Sequence, residues 1–274
     1  MDLYSIKTIK ELLEEHKTSP NDRLGQNFLT EKRVASKMLT AAELKPSDTV
    51  LEVGPGIGTL TLELVKEVKE VVAVEKDPAL VEILKETLRE TNSVKVVQGD
   101  ILETKVPLPQ GYKVVANLPY YLTSHIIRMF LEREARPQLL VLMVQKEVAQ
   151  RICAKPPDMS LLAVSVQFHG VPTLVTPVRK TAFWPQPKVD SAIIKIVPHK
   201  EEPPVESKRF FAVVKAGFSQ PRKQLANNLA SGLKIPKKEA EAMLEAAGIS
   251  PSLRAETLSL ADWMRLTKEY TMEE

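Results

Sequence analysis

One cysteine, Cys153, stands among the 274 residues. A single thiol excludes an intrachain disulfide and any cysteine-based metal cluster, and no metal site is expected. Long apolar runs are also missing: none approaches the roughly 18–20 residues that a membrane helix requires, so no membrane association is expected. Histidine is scarce, with His16, His125, His169 and His199 only. None falls at the end of a predicted strand, so they read as solvated or core side chains. An excess of one charge is missing too: the net charge is +3, too small to demand a polyanionic partner. The first seventeen residues carry Asp2, Lys7, Lys10, Glu11, Glu14 and Glu15 around a 3–4 apolar spacing, the pattern of an amphipathic helix and not of a signal peptide. The expected compartment is a reducing cytoplasm, with no obligate protein partner.

What is present is an ordinary globular composition, 43% hydrophobic and 27% charged, in a chain long enough for one good-sized domain and a smaller one. From Asp48 onward, short β-rich runs alternate with helical patterns. Strands are predicted at Thr49–Val53, Val71–Glu75, Val94–Gln98, Lys113–Ala116 and Leu139–Val144, with helices over Ile57–Val68, from Pro78 to about Glu90, and over Leu122–Glu132. Buried strands separated by helices imply a parallel sheet covered on both faces, an α/β doubly wound fold. A helix over Ser160–Phe168 and strands at Thr173–Val178 and Ser191–Val197 follow. The proline- and charge-rich run Val197–Pro204 reads as a linker, and only helical periodicity follows it. The expected domains are 1–200 and 201–274. The second carries a basic stretch (Lys208, Arg209, Lys215, Arg222, Lys223, Lys234, Lys237 and Lys238) before an acidic tail that includes Glu273 and Glu274. Such a stretch suits either a phosphate-contacting face or a solvated helix surface.

The strongest motif is Leu51-Glu-Val-Gly-Pro-Gly-Ile-Gly-Thr-Leu60, a strand running into a glycine turn and a helix. Glycines let the backbone approach a ligand, and the helix start offers free N–H groups. Gly54, Gly56 and Gly58 are spaced G-x-G-x-G, unlike the G-x-G-x-x-G of dinucleotide binders. Glu75 ends the next strand, 21 positions after Gly54, where a carboxylate can accept from both hydroxyls of a ribose. Asp100 follows the third strand and can accept from an adenine amino group. The fourth strand ends in Asn117-Leu-Pro-Tyr120. There an Asn oxygen can accept from an amine undergoing methylation, a proline shapes the turn, and Tyr120 offers a stacking face worth roughly 1–3 kcal/mol per base.

With Glu52 to Thr61, Asn117-Leu-Pro-Tyr120 resembles the adenine-N6 methyltransferases of ribosomal RNA. Leu24-Gly-Gln-Asn-Phe-Leu29 and Phe183-Trp-Pro-Gln-Pro-Lys-Val-Asp-Ser191 narrow the resemblance to the KsgA/RsmA dimethyladenosine transferases, over about residues 23–260. The resemblance implies a class I (Rossmann-like) methyltransferase domain with a small all-helical C-terminal domain that binds rRNA. S-adenosylmethionine would be the methyl donor, contacted by Gln26, Asn27, Leu29, Gly54, Gly56, Glu75, Lys76, Asp100, Ile101 and Asn117. The acceptors would be two adjacent adenines near the 3′ end of 16S rRNA, each dimethylated at N6 during small-subunit biogenesis. Catalytic positions would be Asn117, Pro119, Tyr120 and Phe183, with Phe183 opposite Tyr120 across the flipped base. In the C-terminal segment Pro221 and Ala226 stand where basic residues are common, leaving Arg222 and Lys223 as the RNA-binding candidates.

An adenine N6 lone pair is delocalised into its ring, so transfer from a sulfonium demands alignment more than a strong base. Asn117 and the Pro119 carbonyl are expected to hold the N6 hydrogens. Three rival readings are an antibiotic-resistance methyltransferase of large-subunit rRNA, a nicotinamide-dependent oxidoreductase, and an assembly factor whose binding outweighs its catalysis. The G-x-G-x-G spacing and the Asn-Leu-Pro-Tyr turn argue against the oxidoreductase.

Overall fold

Residues 1–271 are described in a computed structural model; Glu273 and Glu274 of the acidic tail lie outside them. Helix α1 (Ile6–Glu15) starts where the Ser5 hydroxyl accepts from the Thr8 N–H. The short strand β1 (Phe28–Leu29) and helix α2 (Lys32–Ala42) follow. The α/β core comprises β2 (Thr49–Val53), α3 (Thr61–Leu64), β3 (Glu70–Glu75), α4 (Pro78–Thr87), β4 (Val94–Gln98), β5 (Lys113–Asn117), α5 (Thr123–Glu132) and β6 (Leu139–Gln145). Then come α6 (Lys146–Ile152), α7 (Leu161–His169), β7 (Gly170–Val178), β8 (Phe183–Trp184) and β9 (Ser191–Pro198). The last helices are α8 (Ser207–Gly217), α9 (Leu225–Leu233), α10 (Lys237–Ala246) and α11 (Leu260–Glu269).

Seven strands form one sheet in the order β4-β3-β2-β5-β6-β9-β7. Strands β2 to β6 pair in parallel, and β9 runs antiparallel to β6. The chain winds outward from β2 to β4, then returns to lay β5 on the other side of β2. That reversal is the switch point of a doubly wound fold, where a crevice opens at the carboxyl ends of the strands. The core strands are apolar because helices cover them: α2, α4 and α5 each bury one stripe, including Met38, Leu84 and Phe130. Strand β4 differs from the expectation of a buried strand. It is the sheet's edge, and Lys95 and Gln98 are exposed.

The helix expected over residues 57–68 is also shorter. Its first residues are taken up by the glycine turn, where Gly54, Gly56 and Gly58 have φ of +65°, +63° and +91°, outside the helical region. The α-helix therefore begins only at Thr61. Past its end, three-residue bonds from Lys66 N–H to Glu63 O and from Glu67 N–H to Leu64 O tighten the chain.

The chain divides into two compact units, residues 1–149 with 172–198, and residues 150–171 with those from 199 on. The segment 150–171, expected in the first domain, clusters with the C-terminal helices for an apolar reason. Phe168 of α7 stacks on Phe210 of α8 with ring centroids 4.0 Å apart. Both belong to one buried cluster with Met159, Val164, Leu229 and Trp263.

Candidate active site

Four parallel strands place their carboxyl ends along one edge of the sheet, and the loops leaving them line a single pocket. Gly54 and Gly56 come from β2, Glu75 and Lys76 from β3, Asp100 and Ile101 from β4, and Asn117 to Leu122 from β5. Gln26, Asn27, Phe28 and Leu29 line it from the N-terminal side. Every expected cofactor contact is thus brought to one place.

The pocket's interior suits a nucleoside. A methyl group built on Gly54 would meet no protein atom within 4 Å, so the left-handed turn leaves an open cradle rather than serving packing. Both oxygens of Glu75 are ordered by the backbone: the Gly56 N–H donates to Oε2 at 3.1 Å and the Asp77 N–H to Oε1 at 2.9 Å. Each keeps capacity to accept from ligand hydroxyls. Burial pushes the Glu75 pKa up, against the pull of these N–H donors. Across the mouth, Lys76 Nζ donates to Asp100 Oδ2 at 2.8 Å while the Leu102 N–H donates to Oδ1 at 2.9 Å. The Lys76 hydrogen bond, with the Leu102 N–H, holds the Asp100 carboxyl below its usual range, and the same ion pair raises Lys76.

Gln26 lines the pocket, yet both ends of its amide are committed: Nε2 donates to Asp77 Oδ2 at 2.7 Å and Oε1 accepts from the Asn21 N–H at 2.8 Å. Asp77 also caps α4 by accepting from the Ala79 N–H. Gln26 thereby fastens the loop of residues 21–29 to the start of α4. Asn27 extends that loop toward β5, because its main-chain oxygen accepts from Asn117 Nδ2 at 3.3 Å. With Nδ2 so engaged, the amide keeps its Oδ1 as the acceptor.

The turn after Asn117 is well ordered. The Pro119 oxygen accepts from the Leu122 N–H at 3.1 Å and lies 3.4 Å from the Thr123 hydroxyl, so that carbonyl already has partners. Tyr120 lines the pocket, and its hydroxyl sits 2.6 Å from Ser191 Oγ. Phe183, expected across from Tyr120, is not among the pocket's lining residues. It is 2% exposed, pairs with Leu29 in the two-stranded β1-β8 ribbon, and packs in the core with Val178 and Ile193 rather than lining the pocket.

Glu52 was not singled out by sequence. It lines the pocket at 1% exposure, and its Oε2 has no hydrogen-bond partner. Burial raises its pKa to about 8. A carboxyl inside an otherwise apolar strand is itself the signal that marks it.

Arg222 and Lys223 belong to the second unit, in the turn between α8 and α9, and both are exposed. Asn228 braces that turn by donating from Nδ2 to the Gly217 and Gln220 oxygens at 2.7 and 2.9 Å. Ala226 is buried in the apolar cluster, so a basic side chain there would have to leave the core.

Among the described residues no cluster of His, Cys, Asp or Glu could hold a metal ion, and no helix is long and apolar enough to cross a membrane. Residues 17–272 match the profile of the family described as ribosomal RNA adenine dimethylase. A protein named ribosomal RNA small subunit methyltransferase A from Dehalococcoides mccartyi (strain 195) is 47% identical over 96% of this chain and 92% of its own. A protein of the same name from Alkaliphilus metalliredigens is 40% identical over 95% of each. Among solved structures, a dimethyladenosine transferase from Plasmodium falciparum superposes with a TM-score of 0.78 at 28% identity, over 87% of this chain and 95% of that one. The 23S rRNA methyltransferase ErmE gives 0.73 at 30% identity, over 89% and 99%. With a nucleoside pocket at the sheet's switch point and a profile match over nearly the whole length, the chain belongs to the ribosomal RNA adenine dimethylase family.

Proposed function

We propose that this chain dimethylates N6 of two adjacent adenosines in the 3′-terminal hairpin of 16S rRNA, acting in the cytoplasm on the small subunit or its precursor. The observation that carries the reading is the convergence of Gly54, Glu75, Asp100 and Asn117 on one pocket at the strand ends. S-adenosylmethionine, when bound, supplies an electrophilic methyl on a cationic sulfonium.

The pocket's own groups fit that donor. The open cradle at Gly54 leaves room beside the backbone, Glu75 offers acceptors for ribose hydroxyls, and Asp100 offers one for an adenine amine. Lys76 keeps Asp100 ionised and aimed, while Gln26 acts through the loop it fastens. Leu29 and Ile101 supply apolar walls.

For the acceptor, Asn117 Oδ1 holds an N6 hydrogen and turns the lone pair toward the methyl. The Pro119 oxygen contributes less than Asn117, since the Leu122 N–H already occupies it. Tyr120 stacks on the base once it has left its helix, offsetting an unstacking cost of a few kcal/mol. Phe183 backs this arrangement from the core by holding Leu29. Arg222 and Lys223 contact RNA phosphates.

The small-subunit address is favoured by relatives that carry that name at 40–47% identity over nearly full length. A second reading, methylation of large-subunit rRNA, is favoured by the likeness to ErmE. Methylation of 30S precursors against naked 23S rRNA separates the two. Asn117→Ala should lower methyl transfer by on the order of 100-fold or more while leaving much of the cofactor affinity. Near-normal turnover would sink the reading.

A further inference from the structure

Tyr120 occupies the first position of a single 3-10 turn, Tyr120–Leu122. Nothing in such a short turn fixes the ring by itself, since a side chain there can change rotamer at small cost. The phenol oxygen, however, lies 2.6 Å from Ser191 Oγ, at the short end for two hydroxyls. Ser191 is completely buried. It begins β9 and sits opposite Gln145 of β6, and β6 pairs with the strand that carries Asn117.

The residue before Ser191 is held twice. The Asp190 main-chain oxygen accepts from the Lys146 N–H at 2.9 Å, and its Oδ1 accepts from the Lys180 N–H at 3.0 Å. The serine hydroxyl is therefore an anchor on rigid backbone. On the other side, the Thr123 hydroxyl donates within the turn, 3.2 Å from the Tyr120 oxygen, steadying the main chain from which the ring projects. With its hydroxyl directed into the protein, Tyr120 has its ring face, not its oxygen, to offer the pocket.

We propose that Ser191 is a positioning residue for the methyl transfer, acting through Tyr120: it fixes the phenol so that the ring stands as a preset platform for the incoming adenine. This rests on the reading of Tyr120 as the stacking face. The linkage also ties two distant stretches of sequence, residues 117–120 and 183–191, into one device. A preset ring lowers the ordering cost when the base arrives, and it preserves the alignment on which this chemistry depends.

The test compares methyl transfer to unmethylated 30S particles, at saturating S-adenosylmethionine, by Tyr120→Ala, Tyr120→Phe, Ser191→Ala and the double variant Tyr120→Phe/Ser191→Ala. Cofactor affinity by calorimetry and the melting temperature are measured alongside. Tyr120→Phe and Ser191→Ala should each lower kcat about tenfold, the size of one lost hydrogen bond expressed in a barrier. The double variant should lose no more than either single one, because both remove the same interaction. Cofactor affinity should change by less than about twofold, as for an interaction that serves only the acceptor. Full kcat in Ser191→Ala, or losses that multiply in the double variant, would overturn the proposal. So would a lowered melting temperature with kcat intact, the mark of a packing role alone. Should Ser191→Ala not fold, Tyr120→Phe decides by itself, and normal kcat there overturns the tether. An active Tyr120→Ala would instead remove the stacking reading, an outcome distinct from failure of the tether.

Discussion

The two units of this chain differ in buried charge: among the described residues the buried carboxyls, Glu52 and Glu75, both belong to the first. Around the strand ends of the first unit, polar groups are buried and held: Glu52 sits without a partner for one oxygen, and Glu75 is ordered by backbone N–H groups. The second unit has an apolar centre, in which Phe168, Phe210, Phe211 and Trp263 pack among aliphatic side chains. Buried carboxyls cost stability and are retained where chemistry uses them. Packed aromatics contribute stability and are indifferent to the ligand. The contrast is of buried charge in one unit with stacked aromatic packing in the other.

The largest expected effect tests the second unit. Phe168→Ala removes a stacked, fully buried ring and should cost about 3–5 kcal/mol of stability, read by denaturant melts. Cofactor affinity at the strand-end pocket should stay near the wild-type value, and a large loss of affinity would erase the contrast. Next comes Glu52. Its pKa is about 8 folded against an ordinary 4.5, so the folded state holds its proton more tightly than the unfolded chain. The stability from that proton is complete below about pH 4.5 and is lost as pH rises through about 8. Glu52→Gln should remove this fall, gaining on the order of a few kcal/mol over wild type at the alkaline end. Parallel pH profiles of the melting temperature would contradict it. The smallest effect is local. Ser259 and Asp262 close a capping box at the start of α11, and Ser259→Ala should cost about 1 kcal/mol with methyl transfer unchanged.

Much of the first unit was legible because strands buried on both faces are written as unbroken apolar runs. The strands beginning at Thr49, Lys113 and Leu139 start where expected, and Gly54, Glu75, Asp100 and Asn117 arrive at one pocket. What escaped had tertiary causes. The edge position of β4 depends on strand order, which periodicity does not encode. Gln26 lines the pocket as expected, but its bonds to Asp77 and Asn21, 51 and 5 positions away, which fasten the loop, could not be read from the motif. Phe183 sits in a two-residue strand whose pairing with Leu29 draws it into the core. Residues 150–171 precede most of β7 and all of β9 in sequence, so their clustering with the last helices could not be read from order along the chain.

That discontinuity has a consequence during synthesis. Phe168 leaves the ribosome 95 positions before Trp263, about 5 to 20 s at the usual elongation rate. Through that interval the partners of α7 arrive one helix at a time, Phe210 of α8 first and Trp263 of α11 last. The first unit's last strand, β9, is finished at residue 198, before any of α8 to α11 exists. The nascent chain therefore completes its reacting half first and carries an incompletely covered apolar helix until α11 is made, the interval in which a chaperone would find something to hold.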